Sequence, residues 1–258
     1  MIAGEVAQRI LGQLPSQLDE PGFVFAGIGG AGINVLKLVR ERTSLRRLAV
    51  DTDEYFLSLC GCQQQLDLSN PLSRGKGTIG DVELGKSAAL LHREEIAESL
   101  EQDIILIVAG LGRGTGTGAA PVVASLAKEK GLPVLAFLIW PFKEERIVTK
   151  ARRGLDALKP QCDALLILDN NAALEVDGVE NHWEAANVVN DMMAHMVERL
   201  VEKVSTAFPF SIQDEIVDFV EELPAANEKF PLKAAELAIA PQAFEPVAMD
   251  ARGLIELR

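Results

Sequence analysis

The stretch Ala109-Gly110-Leu111-Gly112-Arg113-Gly114-Thr115-Gly116-Thr117-Gly118-Ala119-Ala120 follows the apolar run DIILIV (103–108) and leads into PVVASLAKEKG (121–131). It sets five glycines among the nine residues 110–118, between a strand pattern and a helix pattern. Glycine loses more freedom on folding than any other residue, so such a cluster needs a reason. A turn that curls tightly and brings bare backbone N–H groups against an anion supplies one. The helix is read as starting near Ala119, with its positive dipole end toward the charge. Thr115 and Thr117 add hydroxyl donors. A branched side chain at Gly116 is then expected to exclude the anion at little cost to the empty fold.

A second glycine loop, Gly27-Ile28-Gly29-Gly30-Ala31-Gly32, fits G-x-G-x-x-G at the first strand–helix junction, with Asp51 and Asp53 at the end of the next strand. Alone it matches the dinucleotide fingerprint, in which the acid reaches a ribose hydroxyl. An NAD(P)-linked oxidoreductase and a plain structural turn are both open on that loop. A dinucleotide fold has no use for a second loop such as GTGTG. Two glycine loops at the carboxyl ends of parallel strands suggest one polyphosphate gripped from two sides. Neither loop is a Walker A motif, because no Gly-Lys-Ser/Thr follows.

The rest of the chain sets the architecture. FVFAG (23–27), RRLAV (46–50), DIILIVA (103–109), PVLAFLI (133–139) and ALLIL (164–168) read as buried strands separated by helical patterns. Near-continuous apolar strands alternating with helices predict an α/β fold with a parallel, Rossmann-like sheet covered on both faces. WEAANVVNDMMAHMVERLVEKVSTA (183–207) predicts one long central helix, with Ala186, Val189, Met193, Met196, Val197 and Leu200 on its buried stripe. Residues 208–258 carry one short helix pattern (213–222), a proline-punctuated stretch and one late strand.

Composition narrows the partners. The 258 residues carry a net charge of −13, which argues against nucleic acid. One pocket can still be positive, through helix N-termini and aligned amides. No apolar run reaches the length of a membrane span, so an integral membrane protein is not expected. The three cysteines, Cys60, Cys62 and Cys162, form no zinc-like spacing and suggest a reducing, cytoplasmic setting.

GRGTGTGAAPVVA (112–124) resembles the signature loop of the tubulin/FtsZ superfamily, and most closely its bacterial cell-division GTPase branch. The resemblance runs in order through residues 23–200. GIGGAGIN (27–34) is similar to the family's first glycine loop, which brings in Asn34, and AVDTD (49–53) to its second nucleotide loop. GTIGDVELGKSAA (77–89) resembles the segment that senses the γ-phosphate. WPFKEER (140–146) resembles the sugar-contacting segment, although two residues are missing after it. LDNN (168–171) resembles the base-contacting loop, and HWEAAN (182–187) the start of the central helix.

The resemblance implies GTP or GDP as ligand, with Mg²⁺ and no confident metal ligand among the side chains. It implies nucleotide contacts from Gly27, Gly29, Gly30, Ala31, Gly32, Asn34, Asp51, Asp53, Gly112, Arg113, Gly114, Thr115, Gly116, Thr117 and Gly118. Glu145 is implied for ribose, Asn170 and Asn187 for the base edge, and Trp183 for stacking. For Trp183 a helix-face core role stays open, and for Asn170 a loop-capping role. The implied organisation is an N-terminal extension (1–22), a nucleotide domain (23–182), the central helix (183–207) and a short C-terminal segment (208–258) in place of the usual second domain.

Three departures qualify the expectation. Arg113 stands where the family usually has glycine. Val188 stands where it usually has the aspartate that recognises guanine, with Asn187 or Asn190 as substitutes. In place of the acidic loop that completes hydrolysis on a neighbour's nucleotide stands FPFSIQDEIVDF (208–219), where Asp214 and Glu215 are the nearest acids. A slow, self-association-dependent GTPase is expected, with a cytoskeletal or membrane-adaptor protein as further partner. A non-polymerising nucleotide-dependent interaction module is the alternative.

Overall fold

The structure is a computed structural model, and it describes residues 22–39, 45–62, 64–69, 75–207 and 235–239. The chain runs β1 (Phe23–Ile28), α1 (Gly29–Leu38), β2 (Leu45–Asp51), α2 (Glu54–Leu59), β3 (Gln64–Asp67), α3 (Val82–Leu91) and α4 (Arg93–Ser99). It continues through β4 (Ile104–Gly110), α5 (Gly114–Glu129), β5 (Val134–Trp140), α6 (Val148–Leu158) and β6 (Ala164–Asp169). The short α7 (Asn170–Ala173), the long α8 (His182–Ala207) and β7 (Ala235–Ile239) complete it.

The sheet order is β3-β2-β1-β4-β5-β6-β7. β1 to β6 pair in parallel, and β7 joins β6 antiparallel, with Ala164 opposite Ile239. Every strand read from an apolar run is present, and so is a late strand. β3 is the addition. Its sequence QQLD alternates between half-buried and exposed positions at the sheet edge, so it carries no apolar run to betray it.

Side chains alternate across the sheet and feed two cores. Phe23 and Phe25 point to the layer formed by α1, α2 and α8, while Val24, Ala26 and Ile28 point to the layer formed by α3, α4, α5 and α6. The stripe expected on α8 is largely what seats it: Val189, Met193, Met196, Val197 and Leu200 are buried, and Ala186 packs at the margin. One helical pattern splits at His92, whose backbone (φ −100°, ψ 23°) leaves helical geometry and separates α3 from α4. All three cysteines are buried thiols outside any disulfide, and burial pushes the Cys162 thiol up to about 12.

Residues 1–21 of the N-terminal extension, the helix pattern at 213–222 and the acids Asp214 and Glu215 lie outside the described residues. Among the described residues no helix is long and apolar enough to cross a membrane.

Candidate functional site

Strand order decides where a ligand can sit. Between β1 and β4 the sequence order of the sheet reverses, and in open parallel sheets that switch point opens a crevice at the carboxyl ends of the strands. Ile28 pairs with Ala109, Gly110 with Ile139 and Trp140 with Asp169, so β1, β4, β5 and β6 end along one edge. One glycine loop follows β1 and the other follows β4. They flank the crevice from its two sides.

Both loops are helix starts. Gly29, Gly30, Ala31, Gly32 and Asn34 lie in α1, with Gly27 just inside β1. Gly114, Thr115, Gly116, Thr117 and Gly118 are the first turns of α5, five residues earlier than the expected start at Ala119. Neither helix has a side-chain cap or an acid in its first turn. By contrast Asp53, Asp81 and Asp169 cap α2, α3 and α7. Uncapped helix starts leave amide donors for a ligand, and the two dipoles make the crevice attractive to anions.

The glycines answer to packing as well as to an anion. Gly29 has φ +73°, and a Cβ there would stand 2.9 Å from the Gly116 amide nitrogen. A Cβ on Gly116 would stand 2.5 Å from the Gly110 carbonyl oxygen. The two loops therefore meet backbone to backbone, which only residues without side chains permit. This corrects the expectation that Gly116 tolerates a branched side chain in the empty fold. Such a residue would displace the loop itself.

The threonines are likewise tied into the frame. The Thr115 and Thr52 hydroxyls are 2.7 Å apart and buried, joining α5 to the end of β2. The Gly112 N–H donates to the Thr117 hydroxyl oxygen at 2.7 Å. Thr52 was legible only as a member of AVDTD, because its partner lies far along the chain. Asp51, the last residue of β2, is only 2% exposed. One of its oxygens accepts from the Thr52 N–H, and the other, Oδ2, has no partner. Burial raises its carboxyl to about 6. Asp53 accepts from the Tyr55 N–H and starts α2.

The turns after β5 and β6 continue along the same edge beyond β4, and the start of α8 meets the first of them through His182 and Glu144. Glu145 ends the 3₁₀ turn Lys143–Glu145, and its carboxylate pairs with Arg113 at 2.5 Å. Its neighbour Glu144 is held below the usual carboxylate range by its own backbone N–H and by His182. Asn170 begins α7, is 8% exposed, and its Oδ1 has no partner. Asn171 does the loop tethering instead: it accepts from the Lys143 N–H and donates to the Pro141 carbonyl. The loop-capping role considered for Asn170 thus belongs to its neighbour.

Asn181 caps the start of α8 by accepting from the Glu184 N–H at its Oδ1, and the Glu184 carboxylate accepts from the Glu180 N–H just before it. That start presents Trp183, 74% exposed, which rules out the core role for its ring. Asn187 is half-buried one turn further along α8, and Val188 leans onto the core. Among the described residues no group of three or more His, Cys, Asp or Glu is arranged to hold a metal ion. A cation would take its remaining ligands from a bound phosphate and water.

A separate groove of about 800 Å³ lies on the far side of α5, between α3 and α6. It shares Thr117 and Gly118 with the start of α5. Two of its cations are already engaged, Lys150 on the Gly80 carbonyl and Arg93 with Glu129. The two uncapped helix starts flank the switch-point crevice instead.

Comparison with known proteins supports that assignment of the fold. A family model described as "Tubulin/FtsZ family, GTPase domain" matches residues 23–178. The cell division protein FtsZ 2 of Methanocaldococcus jannaschii is 32% identical over 209 residues, which is 80% of this chain and 54% of that protein. The chain therefore spans about half the length of that curated relative. An empty FtsZ dimer of M. jannaschii superposes with a TM-score of 0.68 at 30% identity, covering 77% of this chain and 59% of that one. CetZ2 from Haloferax volcanii, solved as a GTPγS-bound protofilament, gives a TM-score of 0.65 at 28% identity, covering 74% and 61%.

Proposed function

The chain belongs to the tubulin/FtsZ family, and from that premise we propose that it binds GTP or GDP in the switch-point crevice and self-associates in a nucleotide-dependent way. The observation that carries this reading is the meeting of two uncapped glycine-rich helix starts at the point where the strand order reverses. The α1 and α5 amides take the phosphates. Asn170 offers its unpartnered Oδ1 to the base edge, and Trp183 offers a free ring face for stacking. Asn187, one turn after Trp183 on α8, adds a polar contact to the base in this reading, in place of the acid that Val188 does not supply.

Mg²⁺ enters this reading with the nucleotide and offsets phosphate charge. The residues of the crevice hold the phosphates and keep them oriented; their side chains are too few to hold the ion alone. Hydrolysis requires a group that orients water. The acids proposed for that work, Asp214 and Glu215, act on a neighbouring subunit's nucleotide, so turnover is slow in the isolated chain. Self-association is supported by the protofilament of CetZ2 and the dimer of FtsZ among the similar structures. The proposed setting is the cytoplasm, with a cytoskeletal or membrane-adaptor protein as partner.

Thermal unfolding in the presence of GTP, GDP, ATP and NAD tests the ligand. Stabilisation by the two guanine nucleotides and not by NAD supports the reading, and stabilisation by NAD alone refutes it. Sedimentation with GTP and with GDP tests assembly: a pellet that depends on GTP supports self-association, and none at any concentration refutes it.

A further inference from the structure

Arg113 is oddly placed. It is the residue immediately before α5, a 16-residue helix with no acid in its first turn. A positive charge there opposes the helix dipole, so Arg113 does nothing for the helix it precedes. Its side chain is 77% exposed and buries little of its own stem. Among the described residues its side chain makes one ion pair, with Glu145, whose side chain is 25% exposed. Among the described residues Glu145 has no other side-chain partner. The pair links the turn after β4, one residue before the α5 amides, to the turn after β5.

We propose that Arg113 is a specificity-determining gate: in the empty site it occupies Glu145, and when a phosphate chain seats on the α5 amides it exchanges onto the phosphates and frees Glu145 to accept from the ribose hydroxyls. This rests on the nucleotide reading given above. The chemistry favours the exchange. A phosphate chain brings more negative charge than one carboxylate, and a guanidinium matches phosphate oxygens in a forked geometry. Once released, Glu145 regains acceptor capacity that the ligand's hydroxyl donors can use. The gate couples two ends of the ligand. A nucleoside without phosphates meets an acid already taken, whereas a nucleotide opens the acid for itself.

The exchange predicts opposite changes for two ligands. Calorimetric titration of the full chain with GTP and with guanosine is compared among wild type, Arg113→Ala, Arg113→Lys and Glu145→Gln. Arg113→Ala is expected to weaken GTP by about tenfold, the loss of one charge-assisted contact. The same change is expected to tighten guanosine, because Glu145 starts free. Arg113→Lys, which keeps the charge, restores part of the GTP affinity, while Glu145→Gln leaves guanosine nearly unchanged in the wild-type background and cancels its gain when combined with Arg113→Ala. Both arginine substitutions sit on an exposed side chain, and matching thermal unfolding of the empty variants verifies that they fold. An Arg113→Ala variant that shifts GTP and guanosine equally, or neither, overturns the gate while leaving the nucleotide site standing. Failure of wild type to bind GTP at all overturns the site and the gate together.

Discussion

The hydroxyls of Thr52 and Thr115 lie 2.7 Å apart in the interior, one at the end of β2 and the other in the first turn of α5. This bond ties the second loop of the crevice to the glycine-rich helix start. Thr115→Val keeps the shape and removes the hydroxyl, leaving the Thr52 oxygen without its partner. The expected loss is about 1–3 kcal/mol of stability, read by urea unfolding. The double variant with Thr52→Val should cost less than the sum of the singles, because the unpaired group is gone.

Asp51 makes stability depend on pH. Its folded value, about 6, lies above the ordinary 3.8, so the folded chain holds this proton more tightly than the unfolded chain. Its contribution therefore favours the fold at low pH and is lost as pH rises from about 4 through 6, by roughly 3 kcal/mol in total. Asp51→Asn removes the charge and keeps an acceptor for the Thr52 N–H. It should stabilise the empty protein at pH 8 and leave stability near pH 4 almost unchanged. Equal effects at both pH values would show that burial does not hold the Asp51 proton.

Trp183 separates binding from folding. With its ring 74% exposed, Trp183→Ala should leave the unfolding curve of the empty protein in place. Loss of the stacking face should weaken guanine nucleotide by about 1–3 kcal/mol. Trp140 is the other tryptophan, so nucleotide quenching of the wild-type signal, abolished in the variant, gives the readout.

Turnover is expected to follow assembly. Phosphate release per chain should be slow and rise with protein concentration, and Asp214→Ala or Glu215→Ala should reduce it without weakening binding. A positioned carboxylate contributes about 10²–10⁴-fold, so the reduction should be easily measured. Brisk turnover that ignores concentration and survives both substitutions would place the water-orienting group elsewhere.

The sheet was legible because its central strands are covered on both faces and read as unbroken apolar runs. The edge strand β3 was not, since an edge needs no such run. Local pattern also found the two glycine loops, but it could not show that they touch. The collision a side chain on Gly116 would cause with the Gly110 carbonyl comes from the return of the chain, not from spacing. The same holds for Thr52, for Arg113 with Glu145, and for the division of labour between Asn170 and Asn171. In each, the partner comes from another segment or from the turn's three-dimensional path. Residue type alone is silent on both.

The most direct test of the account is calorimetric titration of the full chain with GTP in Mg²⁺, beside Asn170→Ala. The account predicts one guanine nucleotide per chain and thermal stabilisation of about 2.7 kcal/mol when ligand stands a hundredfold above its dissociation constant. It also predicts weaker binding in the variant, whose unpartnered Oδ1 is gone while its fold stays intact. No heat and no stabilisation with millimolar GTP or GDP would contradict the account at its centre.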